Sequence, residues 1–141
     1  MPTTLHHKFI PTSVTFRMKG RERYYTLGLS DGQPKVLSWL ARCEGISQKD
    51  LAEKCNVRPA TMTALLRKML ADDLVYRKSL HASNGKRVFG IFLTDVGREL
   101  AEKVDAINCE LDKVAVRGFS EEELAQFYSF LDRMRANLSE E

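Results

Sequence analysis

Residues 47–72, SQKDLAEKCNVRPATMTALLRKMLAD, restrict the fold of this chain more than any other stretch. Ser47 suits an N-cap with Asp50 at the third helical position, and Asn56 stands where a turn needs a residue tolerant of positive φ. Pro59 fits the first position of a second helix, where its missing N–H costs nothing. Ala52, Asn56 and Met62 supply the small residue, the turn residue and the buried apolar residue of a helix-turn-helix. Two helices joined this way present the second, about residues 58–72, to a DNA major groove.

The rest of the composition bounds what that motif sits in. A length of 141 residues with 43% hydrophobic content suits one compact domain with a sizeable core. There is no charged n-region followed by an apolar h-region, and no apolar run nears the roughly 18 residues of a membrane span. A cytoplasmic protein with no membrane partner is expected. Cys43, Cys55 and Cys109 are odd in number and far apart, so neither a disulfide framework nor a zinc knuckle is implied and buried reduced thiols are expected. His6 and His7 are adjacent and cannot share a helical face, and no His/Glu/Cys cluster has metal-ligand spacing. No metal and no other cofactor is expected. The chain also lacks a Ser/His/Asp set, a glycine-rich phosphate loop and H-x-x-x-H spacing, which argues against an enzyme. The net charge of +3 hides an asymmetry: residues 1–93 hold 16 Lys+Arg against 7 Asp+Glu, whereas residues 94–141 hold 6 against 12. A basic front and an acidic rear point to a polyanion on one side only.

The flanks of the motif follow in order. Residues 1–10, MPTTLHHKFI, read as an arm that Pro11 separates from a short helix over about Thr12 to Tyr25. Ser30 with Gln33 resembles a capping box opening a helix whose Val36, Leu37, Leu40 and Trp39 face inward, and Gly45 ends it. After the motif, LVYRKSL and KRVFGIFL flank Asn84-Gly85, a two-residue hairpin signal. That turn would put Leu74, Tyr76, Leu80, Phe89, Ile91 and Leu93 on one face, with Arg77, Ser79, His81 and Val88 on the other. A hairpin in this place is a wing. Thr94 then caps a long helix with Val96, Leu100, Val104, Ile107, Leu111 and Val114 at spacings of four and three, and Gly118 stops it. Ser120 and Glu123 form a second capping box, and Leu124, Phe127, Leu131, Met134 and Leu138 continue the stripe. The stripe fits a dimer interface; packing within an αα-hairpin accounts for part of it equally well.

The expected fold is therefore mainly α with a small β-hairpin wing (α+β), a winged helix-turn-helix whose N- and C-terminal helices form a dimerisation region. Residues 1–29 hold the N-terminal arm and helix, residues 30–93 the DNA-binding region, and residues 94–141 the C-terminal dimerisation helices, all in one compact domain.

On a helical wheel for residues 58–72, Met62, Leu65, Leu66 and Met69 cluster on one side. Ala60, Ala64 and Arg67 point the other way, flanked by Thr61, Thr63 and Lys68. Small residues there let the helix approach base edges, hydroxyls can bond phosphates or bases, and Arg67 can grip a guanine bidentately or meet a phosphate. Ser47, Gln48 and Lys49 open the preceding helix, whose amino-terminal amides suit a phosphate.

The order helix, helix, helix-turn-helix, wing and two long helices resembles the MarR family of winged-helix transcription regulators. GLSDGQPKVLSWLARCEGISQKDLAEKCNVRPATMTALLRKMLADDLVYR is similar to the family's central region, LTDVGRELAEKV to the start of its fifth helix, and FSEEELAQFYSFLDRMRANL to its terminal helix. The resemblance covers residues 28–138. It implies a sequence-specific DNA-binding regulator, commonly a repressor, acting as a homodimer on a pseudo-palindromic operator with half-sites about 10 bp apart. Recognition helices would enter successive major grooves and the wings, about residues 81–87, the flanking minor grooves. The family's ligand crevice would be bordered here by Phe16, Tyr24, Tyr25 and Trp39, with a small organic effector as the implied ligand. Two positions depart from the family pattern. Arg58 replaces the usual N-cap acceptor, costing about 1 kcal/mol of helix stability, which suggests a DNA contact instead. In the wing the basic pair Lys86 and Arg87 is kept, but the preceding acidic residue that would hold the arginine is absent. The rival to a specific regulator is a non-specific architectural DNA-binding or protein-interaction winged-helix module.

Overall fold

The computed structural model describes residue 1 and residues 3–141; Pro2, within the expected arm, lies outside the described residues. The element order is α1 (Leu5–Tyr25), α2 (Gln33–Arg42), α3 (Gln48–Cys55), α4 (Pro59–Ala71), β1 (Val75–His81), β2 (Arg87–Leu93), α5 (Asp95–Ala115) and α6 (Glu121–Ser139). The fold is the mainly helical winged helix-turn-helix expected, and it divides into two compact units, Met1–Cys109 and Glu110–Glu141.

The first helix is longer than its sequence suggested. α1 runs from Leu5 through Pro11, so most of the expected arm is helical. A proline at this place removes one donor and crowds the carbonyl four residues back, that of His7. Both effects are tolerated because this surface is exposed. Hydroxyls also bond the neighbouring turns, Thr12 donating to the Lys8 carbonyl at 2.6 Å and Ser13 to that of Ile10 at 2.9 Å.

The box before α2 forms only in half. Gln33 Oε1 accepts from the Ser30 amide at 3.0 Å, but the Ser30 hydroxyl donates to that same oxygen at 3.1 Å instead of capping a helix amide. Gly32, at φ 87°, therefore takes the N-cap position and the helix opens at Gln33. Gln33 is buried, and among the described residues its Nε2 has no hydrogen-bond partner. Val36, Leu37 and Leu40 are buried as their spacing requires, while Trp39 is partly buried against the core.

The wing departs from its expected register by one residue. With Asn84-Gly85 as a two-residue turn, Leu80 would face Phe89; instead Leu80 pairs with Val88 and His81 with Arg87. The Gly85 amide bonds the Ala82 carbonyl at 2.9 Å, and Gly85 sits at φ 80°. This makes Ser83, Asn84 and Gly85 a three-residue loop, the hairpin class in which glycine takes the left-handed position. Because side chains alternate, a one-residue slip exchanges the faces on one strand relative to the other. Val75, Ile91 and Leu93 form the buried root, sharing their face with Arg77, Ser79 and the exposed Phe89. Tyr76 stacks on Phe92 on the opposite face, with ring centroids 5.4 Å apart. The single apolar face expected from the two-residue turn is thus not formed.

A short bridge that the sequence did not announce closes the wing's root. Ile46 pairs antiparallel with Ile91, with the Gly45 amide on the Ile91 carbonyl at 2.8 Å and the Ile91 amide on the Ile46 carbonyl at 2.9 Å. A Cβ at Gly90 would lie 2.7 Å from the Gly45 carbonyl oxygen, so this approach requires glycine.

Thr94 caps α5 as expected, its hydroxyl accepting from the Gly97 amide at 3.0 Å. Ala101 and Val104 enter the core beside Leu29, Leu51, Met62, Leu66 and Met69. Val96 and Val114, the two ends of the stripe expected on this helix, are exposed. In the second unit, Ser120 and Glu123 close the full reciprocal capping box, at 3.1 and 3.0 Å. These bonds from the Ser120 backbone and side chain hold the Glu123 carboxyl below the usual carboxylate range.

Candidate nucleic-acid interface

The helix-turn-helix is built as its residues direct. The Ser47 hydroxyl accepts from the Asp50 amide at 3.1 Å, which fixes the start of α3. Asn56 adopts φ 53°, ψ 47°, ending α3 in the left-handed conformation, and the Val57 amide returns to the Ala52 carbonyl at 3.0 Å. Arg58 then occupies the N-cap of α4 with no side-chain cap bond, and Pro59 begins the helix. Met62, Leu66 and Met69 are fully buried against α3 and the wing root.

Burial of that side leaves Ala60, Thr61, Thr63, Ala64, Arg67 and Lys68 exposed on α4. Ala60, Ala64 and Arg67 recur at helical spacing along one exposed strip, where two methyl side chains leave the backbone open to approach. Among the described residues, the side chains of Lys49, Arg58 and Arg67 carry no hydrogen bond or ion pair. Lys68 extends toward Ser30, its Nζ 3.5 Å from the hydroxyl. Gln48 differs from its neighbours: its Nε2 donates to Thr63 Oγ1 at 2.9 Å, and its Oε1 accepts from Arg77 at 3.1 Å.

At the wing tip, Asn84 Oδ1 accepts from the Lys86 amide at 3.0 Å, turning the chain into β2. Arg87 is not left without a holder, as the missing acid had suggested. Its Nε donates to Ser79 Oγ at 2.7 Å, and its guanidinium lies 5.8 Å from the Phe89 ring centroid. The register shift explains the difference: it puts Ser79, Arg87 and Phe89 on one face of the ribbon.

The wing root is joined to the helices by one carboxylate. Glu44 Oε1 accepts from the Leu93 amide at 3.0 Å and from Arg98 at 2.7 Å. Burial works to raise the Glu44 pKa, but the Arg98 hydrogen bond, the Leu93 amide and the Arg98 charge outweigh it and hold the carboxyl below its ordinary value. Glu44 and Arg77 are the two residues that sequence reasoning did not assign here. Their partners lie 49 and 29 positions away, beyond the reach of local spacing.

The aromatic residues assigned to a ligand crevice do not gather into one cluster. Tyr24 and Trp39 pack at the edge of the core, whereas Phe16 and Tyr25 stand exposed on α1. Tyr24 donates to Asn108 of α5, Lys54 lies 5.1 Å from the Trp39 ring centroid, and Tyr25 is held by Arg21 at 2.7 Å. The expectation of buried thiols holds for Cys55 alone; Cys43 is half-buried and Cys109 exposed. Burial pushes the Cys55 thiol up to about 11, so it stays protonated at neutral pH. Among the described residues, no helix is long and apolar enough to cross a membrane.

Comparison with known proteins agrees with this geometry. The MarR family model matches residues 29–86, from the loop before α2 to the wing tip. The HTH-type transcriptional repressor YetL of Bacillus subtilis (strain 168) is 31% identical over 121 residues, covering 84% of this chain and 71% of that protein. The crystal structure of the transcriptional regulator SlyA superposes with a TM-score of 0.84 at 25% identity, covering 98% of this chain and 96% of that one. The S. aureus MepR–DNA complex superposes with a TM-score of 0.82 at 26% identity, covering 96% of each chain. With the helix-turn-helix, the wing and the flanking helices all matched in order, this chain belongs to the MarR family of DNA-binding transcriptional regulators and is not an enzyme.

Proposed function

We propose that this regulator is a homodimeric repressor that binds a pseudo-palindromic operator, with α4 in the major groove and the wing at the minor groove. The observation that carries this reading is the set of uncommitted cations, Lys49, Arg58 and Arg67, around the small residues of α4. Leaving such side chains unpaired is cheap in water and keeps them available for phosphates and base edges. In this reading Ala60 and Ala64 permit close approach, Arg67 reads guanine, and Thr61 and Thr63 bond bases or backbone. Ser47, Lys49 and Lys68 position the helices on phosphates, whereas the Gln48 side chain, expected beside them, is taken up by Thr63 and Arg77; Arg58 contacts DNA at the start of α4, and Lys86 and Arg87 engage the minor groove.

Dimerisation is supported by exposed apolar side chains on both terminal helices: Leu5, Ile10, Phe16 and Met18 on α1, and Phe127, Tyr128, Phe130 and Leu138 on α6. A repressor role is the role that YetL's name gives that relative. A small organic effector would act at the corner of Tyr24 and Trp39, where α1, α2 and α5 meet through Tyr24–Asn108 and Ser38–Asp105.

Fluorescence anisotropy tests the reading directly, titrating the protein against DNA from upstream of its own gene and a scrambled duplex at matched salt. A specific repressor prefers its operator by about a thousandfold or more. Equal binding to both duplexes would make it an architectural protein, and binding to neither would make it a protein-interaction module.

A further inference from the structure

Gln48 lies between Ser47 and Lys49, at the end of α3 suited to a phosphate, yet its side chain is already engaged with the protein. Arginine has only donors, so Arg77 of β1 must be met by the Gln48 oxygen, at 3.1 Å. That choice turns Nε2 toward Thr63 of α4, at 2.9 Å, and obliges the threonine oxygen to accept. The single hydroxyl proton of Thr63 then goes to the Pro59 carbonyl at 3.0 Å. The chain Arg77, Gln48, Thr63, Pro59 thus has one direction, set by the one member that cannot reverse. It joins the wing, α3 and the recognition helix through residues separated by 29 and 15 positions.

We propose that Gln48 is a positioning residue that ties the wing to the recognition helix and fixes Thr63 as a hydrogen-bond acceptor toward DNA. The proposal rests on the reading of α4 as the helix that enters the major groove. Thr63 is exposed, its proton is spent, and one lone pair remains beside its methyl group. It can therefore accept from the amino group of adenine N6 or cytosine N4, or lay its methyl group on thymine. It cannot donate to guanine O6 or N7 without breaking its bond to Pro59. Gln48 thus acts on base choice through Thr63, without a base contact of its own.

The test compares wild type with Gln48→Met, Gln48→Glu, Thr63→Val and the Gln48→Met/Thr63→Val double variant. Affinities are measured at fixed salt for an operator selected by wild type from a random duplex library, and for duplexes changed at each base pair in turn. Thr63→Val and Gln48→Met should each lose about tenfold discrimination at the same base pair, and the double variant should lose no more than either. Gln48→Glu should lose it too, since a carboxylate offers Thr63 no donor. Uniform weakening on every duplex, with discrimination intact, would make Gln48 a phosphate contact and overturn the proposal.

A second arm needs no DNA. In amide hydrogen exchange of the free protein, Gln48→Met should speed exchange across residues 75–93, while Gln48→Glu, which keeps the acceptor for Arg77, should not. Unchanged exchange in Gln48→Met would overturn the tie between wing and helix. If wild type selects no operator from the library, the reading of α4 fails and takes the role of Thr63 with it, and the exchange result still decides whether Gln48 holds the wing.

Discussion

At the start of α4, an arginine stands where a side-chain acceptor would stabilise the helix. Arg58 has the extended backbone of an N-cap, φ −69° and ψ 152°, but no oxygen with which to meet the first amides. A serine there would add about 1 kcal/mol, so the arginine is kept at a cost to stability. Arg58→Ser should raise the melting temperature by several degrees and weaken operator binding at least fivefold. Thermal melting and anisotropy on the same preparation check the two signs; unchanged affinity would leave Arg58 a solvated surface charge. At this scale much of the site was legible, because Ser47, Asn56, Arg58 and Pro59 act through their own backbone and nearest neighbours. Exposure was less legible. The same residue type is buried at Cys55 and exposed at Cys109, and composition cannot separate them.

Helices and strands show where local signals lose to packing. The capping residues of α3, α5 and α6 fixed those helix starts correctly, since a cap is a bond within four residues. The wing failed by one residue because Asn-Gly satisfies both a two-residue turn and the glycine position of a three-residue loop. Its register was decided by the buried root, Val75, Ile91 and Leu93, and by the bridge to Ile46. Neither Glu44 nor Gly45 carries any local sign of the strand it meets. The junction of wing and α5 provides a prediction of the same kind. Gly97 lies in a helix, where alanine is normally better by about 1 kcal/mol. Its Cβ, however, would stand 1.9 Å from the Leu74 carbonyl oxygen. Gly97→Ala should therefore destabilise the protein by about 2–3 kcal/mol, opposite to its helix propensity, as a urea titration would register.

For the whole molecule, the balance of burial is uneven. α1 has one buried residue, Gly20, along its 21 positions, and α6 has none along 19, although both carry large apolar side chains. Phe130 and Leu138 are 58% and 69% exposed. Placing aspartate at both positions should shift sedimentation from dimer to monomer and weaken operator binding by about a hundredfold, because one docked helix replaces two. The slope of log K against log salt should fall by about half as phosphate contacts are lost. A double variant that stays dimeric would place the interface elsewhere. The stripe on α6 was plain in the sequence, whereas α1 carried no such signal, and periodicity alone does not say whether an apolar face meets its own chain or a second copy.

The segment from Glu44 to Ser47 grips the wing's root and opens α3 within four residues. The ribbon is therefore a cantilever: Gly90, Ile91 and Leu93 are clamped, and the span from Phe89 outward to the loop projects free. At about 3.3 Å per residue, the overhang from Gly90 to Arg87 is roughly 10 Å. A beam fixed at one end concentrates bending along its free length and transmits little displacement to its anchor. In the proposed docking the tip would thus follow minor grooves of different width while the spacing of α3 and α4 stays constant, with tolerance and precision at opposite ends of one hairpin.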